Sequence, residues 1–79
     1  MGSVKVYLNE ISKLKEYLSI VEKSSDMLYA TDSSGCKVNA KGILGLMSLD
    51  LREPITLLTE DDNVSPIELF PEIRRFVVD

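Results

Sequence analysis

Few side chains in this 79-residue sequence could carry covalent or ionic chemistry, and each stands nearly alone. Cys36 is the single thiol. A thiolate can attack phosphorus or carbon when a helix N-terminus or flanking cations lower its pKa. Only Lys37 adjoins Cys36, in a stretch that reads as strand beside a turn, so the competing reading is a small strand residue with no catalytic part. Asp61 and Asp62 are adjacent carboxylates. A metal site needs ligands that converge, and two neighbours read more simply as a solvated turn. Lys13 and Lys15 carry amines, and a lysine amine near neutral pH is ordinarily protonated and so a poor nucleophile. Tyr7, Tyr17 and Tyr29 have no spacing that would build a ligand platform. Histidine is absent altogether, which removes the commonest side chain for acid–base chemistry near neutral pH.

Composition narrows the setting of these groups. A chain of this length supports one small domain, residues 1–79, near the lower size limit for a single core. Its hydrophobic fraction of 44% is enough for a globular fold. Net charge is −4, with 13 acidic and 9 basic residues and no basic block. Nucleic-acid binding is disfavoured, because phosphate neutralisation needs clustered Lys and Arg. One cysteine allows no internal disulfide and fits a reducing compartment. No apolar run reaches membrane-spanning length and no charged-then-apolar leader precedes the first strand. The sequence reads as a complete cytoplasmic domain without a cofactor.

The elements that must position these residues follow from periodicity and punctuation. Val4–Leu8 alternates and predicts a strand. Asn9 sits where an N-cap belongs. Ile11, Leu14, Leu18 and Val21 then form an apolar stripe at helical spacing, and Ser24 to Asp26 end that helix through competing local bonds. Met27–Thr31 predicts a second strand. Asp32–Gly35 is turn chemistry with Gly35 at positive φ, and Cys36–Asn39 returns antiparallel. A helix over Gly42–Leu49 is followed by a fourth strand at Pro54–Thr59. Ser65, Pro66 and Glu68 announce the last helix with a capping box and a proline at its first position. Ile67, Phe70, Ile73 and Val77 face the sheet from it, with Leu69 and Phe76 flanking, and Pro71 predicts a kink or break. The order is βαββαβα, an α+β open-faced sandwich with three helices on one face of a four-stranded antiparallel sheet.

This order, together with the run from Val38 to Leu49, resembles HPr, the histidine-containing phosphocarrier of the bacterial sugar phosphotransferase system. The family shows V-N-x-K-S-I-x-G-(V/L)-M-S-L at this place. The present run, Val38-Asn39-Ala40-Lys41-Gly42-Ile43-Leu44-Gly45-Leu46-Met47-Ser48-Leu49, departs from it only at Gly42. The likeness extends from about Met27 to the end of the chain, and covers the first strand and helix in order and size alone.

The resemblance implies a phosphoryl-bearing histidine at the start of the first helix, within a G-(I/L/F)-H-A-R-P-A segment. Leu8 to Lys13 stands there instead, with Asn9 near the histidine position. No histidine, arginine or proline replaces the lost group, and Glu10 would repel phosphate. A chain without histidine cannot carry phosphohistidine. Gly42 occupies the position of a serine that a kinase phosphorylates in some members, including regulatory relatives that lack the histidine. Ser48 is not that target and reads as a solvent-facing or capping residue.

What the resemblance leaves is a docking surface. Ile43, Leu44 and Met47 match the partly exposed apolar residues through which the family meets its partners. A short helix with apolar side chains on nearly every side cannot bury them all, so Leu46 and Leu49 should turn inward and these three outward. They read either as a contact patch or as a core edge. The expected function is a non-catalytic regulatory domain that binds a protein partner, a regulator or phosphotransferase-system component, with no nucleic acid and no membrane. The alternatives are a residual phosphocarrier that uses Cys36 or a serine, and a decaying copy with no retained role.

Overall fold

Strand alternation, turn residues and caps set most of the architecture. The computed structural model describes residues 2–61 and 63–78. Met1, Asp62 and Asp79 lie outside the described residues, and with Asp62 the paired-carboxylate reading of Asp61. The elements are β1 (Ser3–Val6), α1 (Ile11–Val21), β2 (Leu28–Thr31), β3 (Lys37–Asn39), α2 (Ile43–Met47), β4 (Ile55–Thr59) and α3 (Pro66–Leu69), followed by a 3₁₀ helix over Pro71–Phe76. The protein is α+β. Its four strands form one antiparallel sheet in the order β1-β4-β2-β3.

Register explains why the sheet has one dry face. Residues directly opposite each other in a ladder share a face. Val4 pairs with Leu57, Val6 with Ile55, Leu28 with Thr59, and Ala30 with both Leu57 and Val38. These line the core side, where Val6, Leu28, Ala30, Ile55 and Leu57 are buried. The alternate residues, among them Lys5, Tyr29, Lys37, Asn39 and Thr56, are exposed or half-buried on the other face. Leu14, Tyr17, Leu46, Phe70, Ile73 and Phe76 complete the core against the dry side.

Each end of the sheet is finished differently. Beyond β1, the chain after the 3₁₀ helix adds a short pairing: Tyr7 N–H donates to Phe76 O at 3.0 Å and Val78 N–H to Lys5 O at 2.9 Å, with Val6 opposite Val77. Beyond β3, α2 closes over Asn39, where a Cβ on Gly45 would lie 2.9 Å from the Asn39 carbonyl oxygen. Covering an edge in these ways removes a template for strand addition.

Several expectations need correcting. Strand β1 ends at Val6, and Leu8 is buried as a core residue outside any ladder. The N-cap of α1 is Glu10 and makes no side-chain cap bond. Asn9 Oδ1 instead accepts from Lys13 Nζ at 3.3 Å. The buried stripe of α1 is Leu14, Tyr17, Ile20 and Val21, while Ile11 is 59% exposed and Leu18 only partly buried. Leu14, Tyr17 and Val21 keep the three-and-four spacing, but the first turn extends past the core. Helix α2 is shorter than Gly42–Leu49, with Gly42 and Ser48 as its caps.

The last helix begins as its sequence indicates. Ser65 Oγ accepts from Ile67 N–H at 3.3 Å, and Glu68 Oε2 accepts from Ser65 N–H at 3.3 Å. Pro71, which has no N–H to donate, produces a break. The backbone leaves α3 at Phe70 (φ −134°, ψ 74°) and resumes as the 3₁₀ helix. That break re-aims the segment, so Phe76 joins Phe70 and Ile73 in the core while Ile67, Leu69 and Val77 are partly buried. In the hairpin turn Gly35 has φ 86°, the left-handed region that glycine enters at no steric cost.

Candidate functional site

Helix α2 presents apolar side chains that the fold does not use. Leu46 and Leu49 point into the core, with Leu46 fully buried. Ile43, Leu44 and Met47 are exposed at 46%, 85% and 57%. Burial of one Leu side chain is worth about 1.5–3 kcal/mol, so Leu46 secures the helix and Leu44 adds almost nothing to stability. The helix has one turn and a fraction. Gly42 takes an extended conformation at its N-cap (φ −113°, ψ 132°) with no side-chain cap. Nothing lies within 4 Å of where a Gly42 Cβ would stand, so this position would admit a serine. Ser48 is exposed and its hydroxyl donates to Gly45 O at 2.6 Å.

Two side-chain ties hold the entry to α2, one from α1 and one from Lys41 at the entry itself. Tyr17 on α1 is fully buried, packs edge-on against Phe76 at 6.4 Å, and donates its hydroxyl to Ala40 O at 2.8 Å. Burial raises its pKa well above the usual 10, which keeps the phenol protonated. Lys41 Nζ donates to the carbonyl oxygens of Ser24 and Asp26 in the α1–β2 loop. The sequence stripe has Leu18 in place of Tyr17, although Tyr17 stands three residues after Leu14 and four before Val21, the spacing that marks this face. No local signal marks the partners of Lys41, because they come from a distant loop.

Around Asn9, where the resemblance to HPr implies a phosphoryl-bearing group, the side chains have different chemistry. Glu10 stands at the start of α1, and Lys13 reaches back to it at 3.8 Å and to Asn9 at 3.3 Å. Lys13 Nζ also lies 5.6 Å from the Tyr7 ring centroid. The ammonium is thus drawn toward an acid, an amide and an aromatic face.

Cys36 is exposed at the end of the hairpin turn. The carboxylate of Asp32 organises that turn: it accepts from Ser34 N–H at 2.9 Å, Ser34 Oγ at 2.5 Å and Asp50 N–H at 3.2 Å. The hydrogen bond from the Ser34 hydroxyl, chiefly, lowers its pKa from the usual carboxylate value. Ser33 Oγ donates to Glu53 at 3.2 Å, a second tie between the turn and the α2–β4 loop.

Asp61 lies elsewhere, at the rim of an open depression of about 200 Å³ that Asp26, Met27, Glu60, Val64 and Leu69 also line. Among the described residues, no three His, Cys, Asp or Glu side chains are grouped to hold a metal ion. Tyr29 is on the open sheet face, with its hydroxyl donated to Glu60 at 3.2 Å and Lys37 over its ring at 4.5 Å. Tyr7, Tyr17 and Tyr29 therefore occupy three separate environments. Among the described residues no helix is long and apolar enough to cross a membrane.

The structure thus brings Ile43, Leu44 and Met47 together on one short helix, and leaves Asn9, Cys36 and Asp61 with unrelated neighbours. Comparison of the chain with protein-family models, with curated proteins and with solved structures finds no match.

Proposed function

We propose that this protein is a bacterial, cytoplasmic, HPr-like domain of the phosphotransferase-system family that acts without catalysis, by binding a protein partner through Ile43, Leu44 and Met47. The observation that carries the reading is Leu44, 85% exposed at the centre of the run that resembles the family. An apolar side chain so exposed contributes little to the fold, and a cluster of such residues is a common mark of an interaction surface. The strand order and the single dry face are compatible with an HPr-like sandwich. The absence of histidine removes the family's phosphocarrier chemistry.

Replacement of Leu44 by Asp tests the reading. A charge at so exposed a position should leave the circular dichroism spectrum and the unfolding midpoint unchanged, while capture of the regulator or transport-system component falls at least tenfold. Undiminished capture by the variant moves the interface off α2. The competing reading, phosphoryl transfer to Cys36 or a serine, is favoured only by the accessibility of that thiol. Labelled phosphoenolpyruvate and the system's general phosphotransferase, incubated with the protein, decide against it if no label is incorporated.

A further inference from the structure

Lys41 immediately precedes the N-cap of α2, yet its amine serves another part of the chain. It donates to the main-chain oxygens of Ser24 and Asp26, the second at 2.9 Å. Those carbonyls converge because Ser24 Oγ accepts from Asp26 N–H at 3.1 Å and donates to the Asp26 carboxylate at 2.8 Å, which curls the loop. The loop follows α1, a helix with no basic residue in its last turn. Helix C-termini carry orphan carbonyls and partial negative charge, which a cation stabilises. Lys41 does not meet those helix carbonyls; the oxygens that accept from it lie three and five residues past Val21, in the loop.

Helix α2 needs such an anchor. It has five residues, no side-chain cap and an interior glycine, and helices this short are unstable alone. Its first-turn bond, Leu46 N–H to Gly42 O at 3.1 Å, begins one residue after Lys41. Asn39 Oδ1 accepts from Lys41 N–H at 2.8 Å, so the backbone that carries the amine is itself held.

We propose that Lys41 clamps α2 to the loop spanning residues 22–27, so that the two segments open and close as one unit. The proposal rests on this geometry and is independent of what α2 binds. Coupling between two sites is reciprocal. A ligand that orders either segment therefore orders the other, and the depression beside Asp26 and Met27 is linked through Lys41 to the exposed side chains of α2.

Amide hydrogen exchange, read residue by residue by NMR, tests the clamp in the unaltered protein, Lys41→Met and Lys41→Arg. Methionine keeps most of the stem and removes the donors. Exchange at Leu46 in α2, at its C-cap Ser48 and at Asp26 in the loop should quicken together in Lys41→Met, by roughly tenfold for lost hydrogen bonds from a charged donor. The β4 amides should not change, and Lys41→Arg should retain most of the protection. The proposal is overturned if only one segment responds, if neither does, or if all amides including β4 quicken alike. Absence of measurable protection at Leu46 in the unaltered protein overturns it too.

Discussion

Helix α2 and the α3–3₁₀ segment are both short and apolar, yet they spend those side chains differently. The α3–3₁₀ segment closes its own start with Ser65 and Glu68 and buries Phe70, Ile73 and Phe76. Helix α2 has a bare glycine at its start, is held by Tyr17 of α1 and by the tie from the adjoining Lys41 to the α1–β2 loop, and turns three apolar side chains outward. One segment is self-supporting and closes the core. The other depends on its neighbours and leaves surface free. Stability and binding are therefore separable in this chain by choosing which segment to alter.

The largest contrast comes from Ile73→Ala. Its side chain is fully buried, and truncation should cost about 2–5 kcal/mol, measured as a lower urea midpoint. Leu44→Asp, changed on the opposite member of the pair, should leave that midpoint unmoved; equal losses would erase the distinction. Next is Gly45→Ala. The added Cβ would stand 2.9 Å from the backbone oxygen of Asn39, so the clash should outweigh alanine's helix propensity and destabilise by about 1–2 kcal/mol. A stabilised Gly45→Ala variant would mean that α2 does not pack tightly on β3. Ser65→Ala removes the α3 cap and should cost about 1 kcal/mol in equilibrium unfolding. The smallest effect is expected from Gly42→Ser, which gives α2 the cap it lacks in open space. A gain of a few tenths of a kcal/mol is expected, and a loss would show that Gly42 is needed for its backbone.

The legible parts of the fold were those decided within a few residues. Ser65 with Glu68, the break at Pro71 and the positive φ of Gly35 depend on local chemistry, and the structure has all three. Alternation placed the strands, although β1 ends before Leu8, because burial there comes from packing and not from a ladder. Phe76 was misplaced for a definite reason. A 3.6-residue count from Ile67 fails once Pro71 stops the α-helix and a three-residue turn follows. Asn9 lost the cap to Glu10 by one residue, a shift that the tertiary position of α1 decides. In the candidate site, the inward turn of Leu46 and Leu49 could be read from crowding on a short helix. The Lys41 and Tyr17 ties could not, since each joins residues that only the folded chain brings together.

The pairing of Lys5 and Tyr7 with Phe76 and Val78 also bears on synthesis. Strand β1 is made before both of its neighbours, β4 on one side and the segment near Val77 on the other. At ~5–20 residues per second, making the roughly 50 residues between β1 and β4 takes about 2–10 s. Throughout that interval Val4 and Val6 lack their ladder partners Leu57 and Ile55. The β2–β3 hairpin can pair early, but β1 joins the sheet only once β4, the strand between them, has been made.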